Sequence, residues 1–122
     1  MNYQAEVKQK WQETNSYKEY EEKTKSYSKD KWNDLAVEIN NIFKEFSICL
    51  KNNLEPSSHE TQELVKALQN NIINNYYNCN NEILLSLGKM YVMDERFKNN
   101  IDKNRIGTSE YVSEAIKIYC KK

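Results

Sequence analysis

The chain has 122 residues, and its 18 basic and 18 acidic side chains cancel, so no net charge favours binding to nucleic acid or an anionic membrane. Two glycines and one proline are too few for the corners of a domain built from hairpins, which predicts a single all-α domain. No apolar run approaches the roughly 20 residues of a membrane span. The N-terminus is polar and the three cysteines form no CxxC pair, so we expect a cytoplasmic protein with free thiols.

Residues 1–27 are rich in aromatic side chains and nearly free of aliphatic ones. Two short helices are predicted, with a break at the small polar residues 14–16, where one side chain can cap the second helix. Docking the rings would bury a modest area against an ordering cost of ~1–2 kcal/mol per residue. We therefore expect this segment to be weakly ordered unless a ligand or partner holds it. Its aromatic residues, which fit either a contact surface or ordinary core packing, are Tyr3, Trp11, Tyr17, Tyr20 and Tyr27.

The rest of the chain carries the helical pattern of a packed core. The clearest helix spans residues 28–53, with Ser28 as N-cap and apolar side chains at helical spacing for about five turns. A second helix is expected to start at an S-x-x-E capping box formed by Ser57 and Glu60. A break then follows, with Asn78 as N-cap of the next helix; the alternative is one uninterrupted helix.

The helix after that break is predicted to be the centre of the fold. Its apolar side chains recur at i, i+1, i+4, i+7 and i+8 from Ile83, an arc wide enough to contact several neighbours. This helix is expected to run to about Val92, and Asp94 is expected to cap a short helix that follows it. Thr108 or Ser109 is the predicted cap of the last helix.

Few side chains of the sequence suggest a metal-binding, cofactor-binding or catalytic site. His59 is the only histidine and lies in the first turn of a helix, and no cysteine or acidic cluster has metal-ligand spacing. We therefore expect a surface histidine and no metal, haem or other cofactor. No base–nucleophile pair is visible, so the chain is not expected to be an enzyme. Cys79 near a helix start fits either a thiol of lowered pKa or a small buried hydrophobe, and Glu82 fits either a first-turn carboxylate or a functional one.

Two phrases of the sequence resemble the TipA-type antibiotic-recognition domain. The first is EVKQKWQETNSYKEYEEKTKSYSKDKW at residues 6–32, in which the spacing of the aromatic, serine and threonine positions is the specific part. The second is YYNCNNEILLSLGKMYVMDERF at residues 76–97, with Asn-Ile-Asp after it at residues 100–102. Residues 111–116 resemble the closing helix of the same family, so the resemblance covers nearly the whole chain in order.

The resemblance implies an all-helical, globin-like fold without haem, with about five to seven helices. It also implies a lid at residues 1–27, which closes over a ligand-binding core at residues 28–122. Family members are the effector halves of MerR-type transcription activators, or free-standing proteins, and they bind thiopeptides and other hydrophobic antibiotics. The partner implied by the resemblance is therefore a hydrophobic, peptide-like antibiotic.

Helix faces and the resemblance together predict which residues bind the ligand. Ser86 matches the position at which a family member has a cysteine that bonds covalently to the antibiotic. A serine hydroxyl without an activating base will not add to a dehydroalanine at a useful rate, so we expect no covalent capture through this position. The predicted ligand-binding residues are Trp11, Tyr17, Tyr20, Trp32, Tyr77, Cys79, Asn80, Glu82, Ser86, Leu87 and Tyr91.

The sequence shows neither the DNA-reading helix-turn-helix nor the dimerising coiled coil of the full regulators. We therefore expect no nucleic acid binding by this chain, no membrane binding, and a dimer only through a region N-terminal to it. The alternative function is a helical protein–protein interaction or dimerisation module, in which the aromatic segment docks a partner protein or a second copy of the chain.

Overall fold

A computed structural model describes residues 15–121, with the side chains of residues 18–121, and this part of the chain is all-helical. The predicted all-α class is confirmed, and no helix among these residues is long and apolar enough to cross a membrane. Trp11 and the first predicted short helix lie outside the described residues, as does the side chain of Tyr17. The six helices of the described residues are α1 (Asn15–Thr24), α2 (Lys29–Lys51), α3 (His59–Asn75), α4 (Asn81–Met93), α5 (Glu95–Asp102) and α6 (Thr108–Lys121).

Two predicted helix starts are confirmed by the hydrogen bonds of their caps. Ser28 Oγ accepts the backbone N–H of Lys31 at 3.1 Å and starts α2. Asp94 Oδ1 accepts the backbone N–H of Arg96 at 3.0 Å and starts α5. The predicted end of α2 is also confirmed, because the chain leaves the helix through Asn53. This residue has a left-handed φ of 59°, a conformation that asparagine adopts more readily than most residues.

The predicted capping box at the start of α3 is wrong by one residue. Ser58, not Ser57, is the N-cap, because its Oγ accepts the N–H of Thr61 at 3.3 Å and donates to Thr61 Oγ1 at 2.8 Å. Thr61 Oγ1 lies 2.8 Å from the hydroxyl of Tyr111, which donates to the carbonyl of Leu54 at 2.9 Å. This chain of hydrogen bonds connects the start of α3 to α6, and it favours Ser58 over Ser57 as the N-cap of α3.

Two further predicted caps are also wrong. A break after α3 is present, but the N-cap of α4 is Asn80 rather than Asn78, and Asn80 Oδ1 accepts a backbone N–H of the first turn at 2.9 Å. At the start of α6, neither Thr108 nor Ser109 is the cap. Asp102 at the end of α5 accepts the N–H of Ser109 at 2.8 Å instead. A carboxylate accepts such a hydrogen bond more strongly than a neutral hydroxyl does, and it suits the positive end of the helix dipole.

The helix around which the others pack is α6, so the prediction that α4 is central is wrong. α6 packs on α2, α3, α4 and α5, whereas α4 makes its main contacts with α5 and α6. The small buried side chains of α6, Ser109, Ser113 and Ala115, let neighbouring helices approach it on several sides. In α4, Ile83 and Leu85 are only half-buried, so its apolar arc is not covered all round.

The core is one apolar cluster drawn from α2 to α6 and from the break before α4. Cys49 lies in this cluster, as its place in the apolar stripe of α2 predicts. Side chains at the start of α2 and at the end of α3 lie outside the core and are partly exposed. There Tyr20 of α1 contacts Trp32 and Tyr76. Side chains of this cluster with no exposed surface are Phe46, Val65, Leu68, Leu84, Val112, Ala115 and Ile116.

Candidate functional site

Aromatic rings from three helices meet at one edge of the domain. Tyr20 of α1, Trp32 near the start of α2 and Tyr76 at the C-cap of α3 have ring centroids 6.1–6.5 Å apart. Tyr27, between α1 and α2, makes an edge-on contact with Trp32 at 5.4 Å. All four side chains are half-buried, so each keeps part of its surface open to solvent. We call these four residues the aromatic face.

The turn between α1 and α2 brings two predicted ligand-binding residues, Tyr20 and Trp32, together. α1 ends at Thr24, whose carbonyl accepts the N–H of Tyr27 at 3.0 Å, and Ser28 then caps α2. The chain turns between the two helices, and the ring of Tyr20 lies 6.5 Å from that of Trp32. Local turn and cap chemistry is enough to place these two residues side by side.

Tyr76 is a member of the aromatic face that the sequence did not single out as ligand-binding. Its ring stacks on those of Tyr20 and Trp32, with interplanar angles of 18° and 29°. Burial is the main cause that raises the pKa of Tyr76 to about 12, so its hydroxyl is neutral at physiological pH. The signal that could have identified it is a tyrosine pair, Tyr76 and Tyr77, at a predicted helix break.

Four of the predicted ligand-binding residues are buried in the core. Tyr91, for example, packs edge-on against Phe43, with ring centroids 5.5 Å apart. Burial raises the pKa of both buried tyrosines of this group, which keeps them neutral. These side chains present almost no surface to a ligand in the described structure, and their contact with one stays a prediction. They are Tyr77, Cys79, Leu87 and Tyr91.

Cys79 is a buried hydrophobe, and the alternative of a thiol with a lowered pKa is wrong. Its side chain is 1 % exposed, and burial, followed by the charge of Cys120, raises the pKa of the Cys79 thiol to about 12. Because Asn80 is the N-cap of α4, Cys79 precedes the cap and does not face the free N–H groups of the first turn. Its Sγ lies 3.8 Å from the carbonyl of Asn80.

The remaining predicted residues of α4 lie on its exposed surface. Asn80 is occupied as the N-cap, and Glu82 is an exposed first-turn carboxylate. Ser86 is exposed one turn later, and its hydroxyl donates to the backbone carbonyl of Glu82 at 3.3 Å. Glu82 and Ser86 therefore share one face of α4, but the hydroxyl of Ser86 has no neighbouring base in this contact.

The connection from residue 76 to residue 80 joins the aromatic face to the start of α4. Gln69 of α3 fixes its far end, because Gln69 Nε2 donates to the carbonyl of Cys79 at 2.9 Å and to Asn81 Oδ1 at 3.0 Å. Glu19 of α1 fixes its middle by accepting the N–H of Asn78 at 3.0 Å. α1, α3 and α4 are thus linked through this short non-helical connection.

Other parts of the described surface add no second cluster of predicted residues. His59 is exposed at the start of α3, with its Nε2 3.7 Å from Glu63 Oε1. Among residues 18–121, no three His, Cys, Asp or Glu side chains lie close enough together to hold a metal ion. A shallow groove of about 290 Å³ between α4 and α6 is lined by none of the predicted ligand-binding residues.

Sequence comparison finds relatives among transcriptional activators. The activators TipA of Streptomyces coelicolor and of Streptomyces lividans are each 35% identical over 115 residues, which cover 93% of this chain and 45% of TipA. The activator mta of Bacillus subtilis is 33% identical over 102 residues, which cover 84% of this chain and 39% of mta. The chain thus spans less than half the length of these curated relatives.

Structural comparison gives a similar solved structure, TipAS of Streptomyces lividans in complex with the thiopeptide antibiotic nosiheptide. The TM-score is 0.86 at 31% sequence identity, over 98% of this chain and 83% of that one. The globin-like, all-helical fold implied by the resemblance is confirmed. The model of the TipAS antibiotic-recognition domain matches residues 3–119. This chain therefore belongs to the TipAS antibiotic-recognition domain family.

Proposed function

We propose that this chain is a ligand-binding effector domain that recognises thiopeptide-like or other hydrophobic antibiotics by coupled folding and binding. It would act as the sensor part of a MerR-type transcriptional activator or as a free-standing protein that sequesters the drug. The observation that carries the proposal is the aromatic face, half-exposed in a chain whose structural relative, TipAS, is complexed with nosiheptide. The same relatives favour this function over the helical interaction module.

The chemistry of the aromatic face suits flat, heterocycle-rich ligands. Tyr20, Trp32 and Tyr76 offer large ring surfaces that stack on other rings, and such residues contribute much contact area at low entropic cost. The neutral hydroxyl of Tyr76 adds a hydrogen bond without a charge to desolvate. An uncharged ligand can therefore bind through stacking and apolar burial alone.

The segment before α2 supplies the folding part of the mechanism. We infer that residues 1–27 close as a lid over the core at residues 28–122, adding Trp11 and Tyr17 to the face. Ordering the lid lowers the net affinity by a few kcal/mol, on the order of the cost seen when a disordered segment folds on binding. Tyr77, Cys79, Leu87 and Tyr91 would act as the packed support of α4, while Asn80, Glu82 and Ser86 would present polar groups at its surface.

The domain is also proposed to be non-catalytic and cytoplasmic, and not to bind DNA by itself. We assign no catalytic step to it, because its family is described by antibiotic recognition and its relatives are named as transcriptional activators. The names of the relatives, transcriptional activators, support a cytoplasmic location. Contact with DNA, and any dimer, would depend on a region N-terminal to this chain.

Titration with nosiheptide tests the proposal. We expect heat of binding in calorimetry and, in amide-correlation NMR, new dispersed peaks from residues 1–27. Trp32→Ala and Tyr76→Ala should weaken binding about tenfold or more, since buried aromatic anchors typically contribute at least 1.4 kcal/mol. Val37→Ala is the matched control, because Val37 is an exposed aliphatic side chain on the same helix as Trp32. No binding, or equal affinities of all three variants, would contradict the proposal.

A further inference from the structure

The C-terminal end of α3 lacks the usual means of satisfying its last carbonyl groups. Helices end with carbonyls that have no partner within the helix, and basic side chains or a glycine cap commonly stabilise them. The last turn of α3 contains no basic residue, and its C-cap is Tyr76 rather than a glycine. The backbone N–H groups of Tyr76 and Tyr77 bond to the carbonyl of Ile72, and the carbonyls after it are left to water or to side chains from elsewhere in the chain.

Side chains from the segment before α2 supply those partners. Lys23 Nζ donates to the carbonyl of Ile73, and the hydroxyl of Tyr27 donates to the carbonyl of Asn75 at 2.6 Å. The ammonium group of Lys23 also places a positive charge at the negative end of the α3 dipole. α3 is thus capped by residues far from it in the sequence.

Two more contacts from the same segment fall on the residues that follow. Tyr20 stacks on Tyr76, with ring centroids 6.3 Å apart, and Glu19 accepts the N–H of Asn78 at 3.0 Å. Four contacts from residues 19–27 therefore converge on residues 73–78, just before Asn80 starts α4. Among the described residues, each of the other five helices makes more contacts with its neighbours than α1 does.

We propose that residues 19–27 are a detachable C-terminal cap of α3, so that the order of residues 73–78 depends on whether this segment is docked. Lys23 and Tyr27 are then positioning residues that act through the end of α3. The inference deepens the proposed function. The cap itself rests on the contacts of residues 19–27, and only its effect on ligand binding rests on the proposed function. A ligand that orders the lid would also fix the connection into α4.

Hydrogen exchange in the ligand-free protein tests the cap by itself. The backbone N–H groups of Tyr76 and Tyr77 both donate to the carbonyl of Ile72, so their exchange reports opening of the last turn. Lys23→Met and Tyr27→Phe should each speed this exchange about two- to tenfold, as expected for loss of one hydrogen bond. Tyr27→Phe keeps the ring that contacts Trp32.

The matched control for Lys23→Met is Lys25→Met. Lys25 Nζ pairs with the exposed Glu22 at 2.8 Å on the surface, so its removal should leave the exchange of Tyr76 and Tyr77 unchanged. Equal exchange rates in Lys23→Met and Lys25→Met would overturn the proposal. So would a speed-up of the same size at Ile116 in α6, because the effect would then be global rather than local.

Adding nosiheptide separates this inference from the proposed function. If the wild-type chain binds it, nosiheptide should slow the exchange of the Tyr76 and Tyr77 N–H groups, because a ligand that orders residues 19–27 also keeps the cap docked. Unchanged exchange of these two groups in the complex would overturn the link between cap and ligand. If the wild-type chain does not bind it while the exchange effect is present, the cap is real and the proposed function is wrong.

Discussion

Gly88 of α4 lies directly against Ile116 of α6. A Cβ built on residue 88 would come within 3.3 Å of Ile116 Cδ1 and 3.4 Å of its Cγ2, closer than most carbon atoms approach. Glycine at this position therefore lets α4 approach α6, which is the helix that most of the domain packs on.

We expect Gly88→Val to destabilise the domain by about 1–3 kcal/mol, the usual cost of overpacking a core. Gly88→Ala should change stability little, because the gain in helix propensity of about 1 kcal/mol opposes the close contact. Urea unfolding measures both. In Gly88→Val with Ile116→Ala, the loss should be smaller than the sum of the two single losses; simple additivity would show that the two side chains do not share this space.

The hydroxyl of Tyr111 links α6 to the loop before α3 and to Thr61. Tyr111→Phe should lower the free energy of unfolding by about 1–3 kcal/mol, because the partly buried carbonyl of Leu54 and the buried hydroxyl of Thr61 each lose a hydrogen-bond partner. Tyr119→Phe, on the same helix, is the control and should cost less than half as much. Equal losses in thermal or urea unfolding would mean that the hydrogen bonds of Tyr111 contribute no more to stability than the hydroxyl of Tyr119 does.

Stability should fall as the solution becomes alkaline. Burial raises the pKa of the Cys79 thiol from 9.0 to about 12 and that of Tyr76 from 10.0 to about 12. The unfolded chain therefore loses these protons first, so the stability they contribute is complete below about pH 9 and decreases as pH rises towards 12.

The variant Cys79→Ala isolates the thiol in this pH dependence. Urea midpoints measured from about pH 7 to pH 10 should decrease less steeply in the variant than in the wild-type chain, because the thiol of the unfolded state ionises near pH 9. If both proteins show the same slope, groups other than Cys79 set the alkaline limit.

Covalent capture of a thiopeptide through residue 86 is not expected. Ser86 is exposed, and its hydroxyl donates to a backbone carbonyl rather than to a base that could activate it. After incubation with a thiopeptide that carries a dehydroalanine, the denatured chain should keep its own mass. The variant Ser86→Cys should gain the mass of the ligand, because a thiolate can add to the alkene. A mass gain in the wild-type chain that Ser86→Ala removes would refute this expectation.

Local patterns in the sequence predicted much of the fold. The scarcity of glycine and proline predicts the all-α class, and Ser28 and Asp94 are predictable caps because each precedes an unambiguous helix. The prediction failed where two candidates stood close together, as with Ser57 and Ser58. There the contact of Thr61 with a residue of α6 decides the outcome, and such distant contacts leave no local signal.

The sequence predicts only part of the site, because contacts between distant residues leave no local signal. Tyr20 and Trp32 lie near each other in the chain, and a turn between two helices brings them together. Tyr76 joins them only through tertiary packing, which periodicity cannot show. The sequence leaves the state of Cys79 open, because that state depends on which neighbouring asparagine caps α4.

The position of α6 at the end of the described chain has a consequence for biosynthesis. A ribosome that has completed α2 to α5 has not yet made the helix against which all four of them pack. Until residues 108–121 emerge, Val65, Leu68 and Leu84 lack much of their apolar cover, and such surface recruits chaperones and other nascent chains. The packing around these side chains is therefore completed only after residues 108–121 have left the exit tunnel.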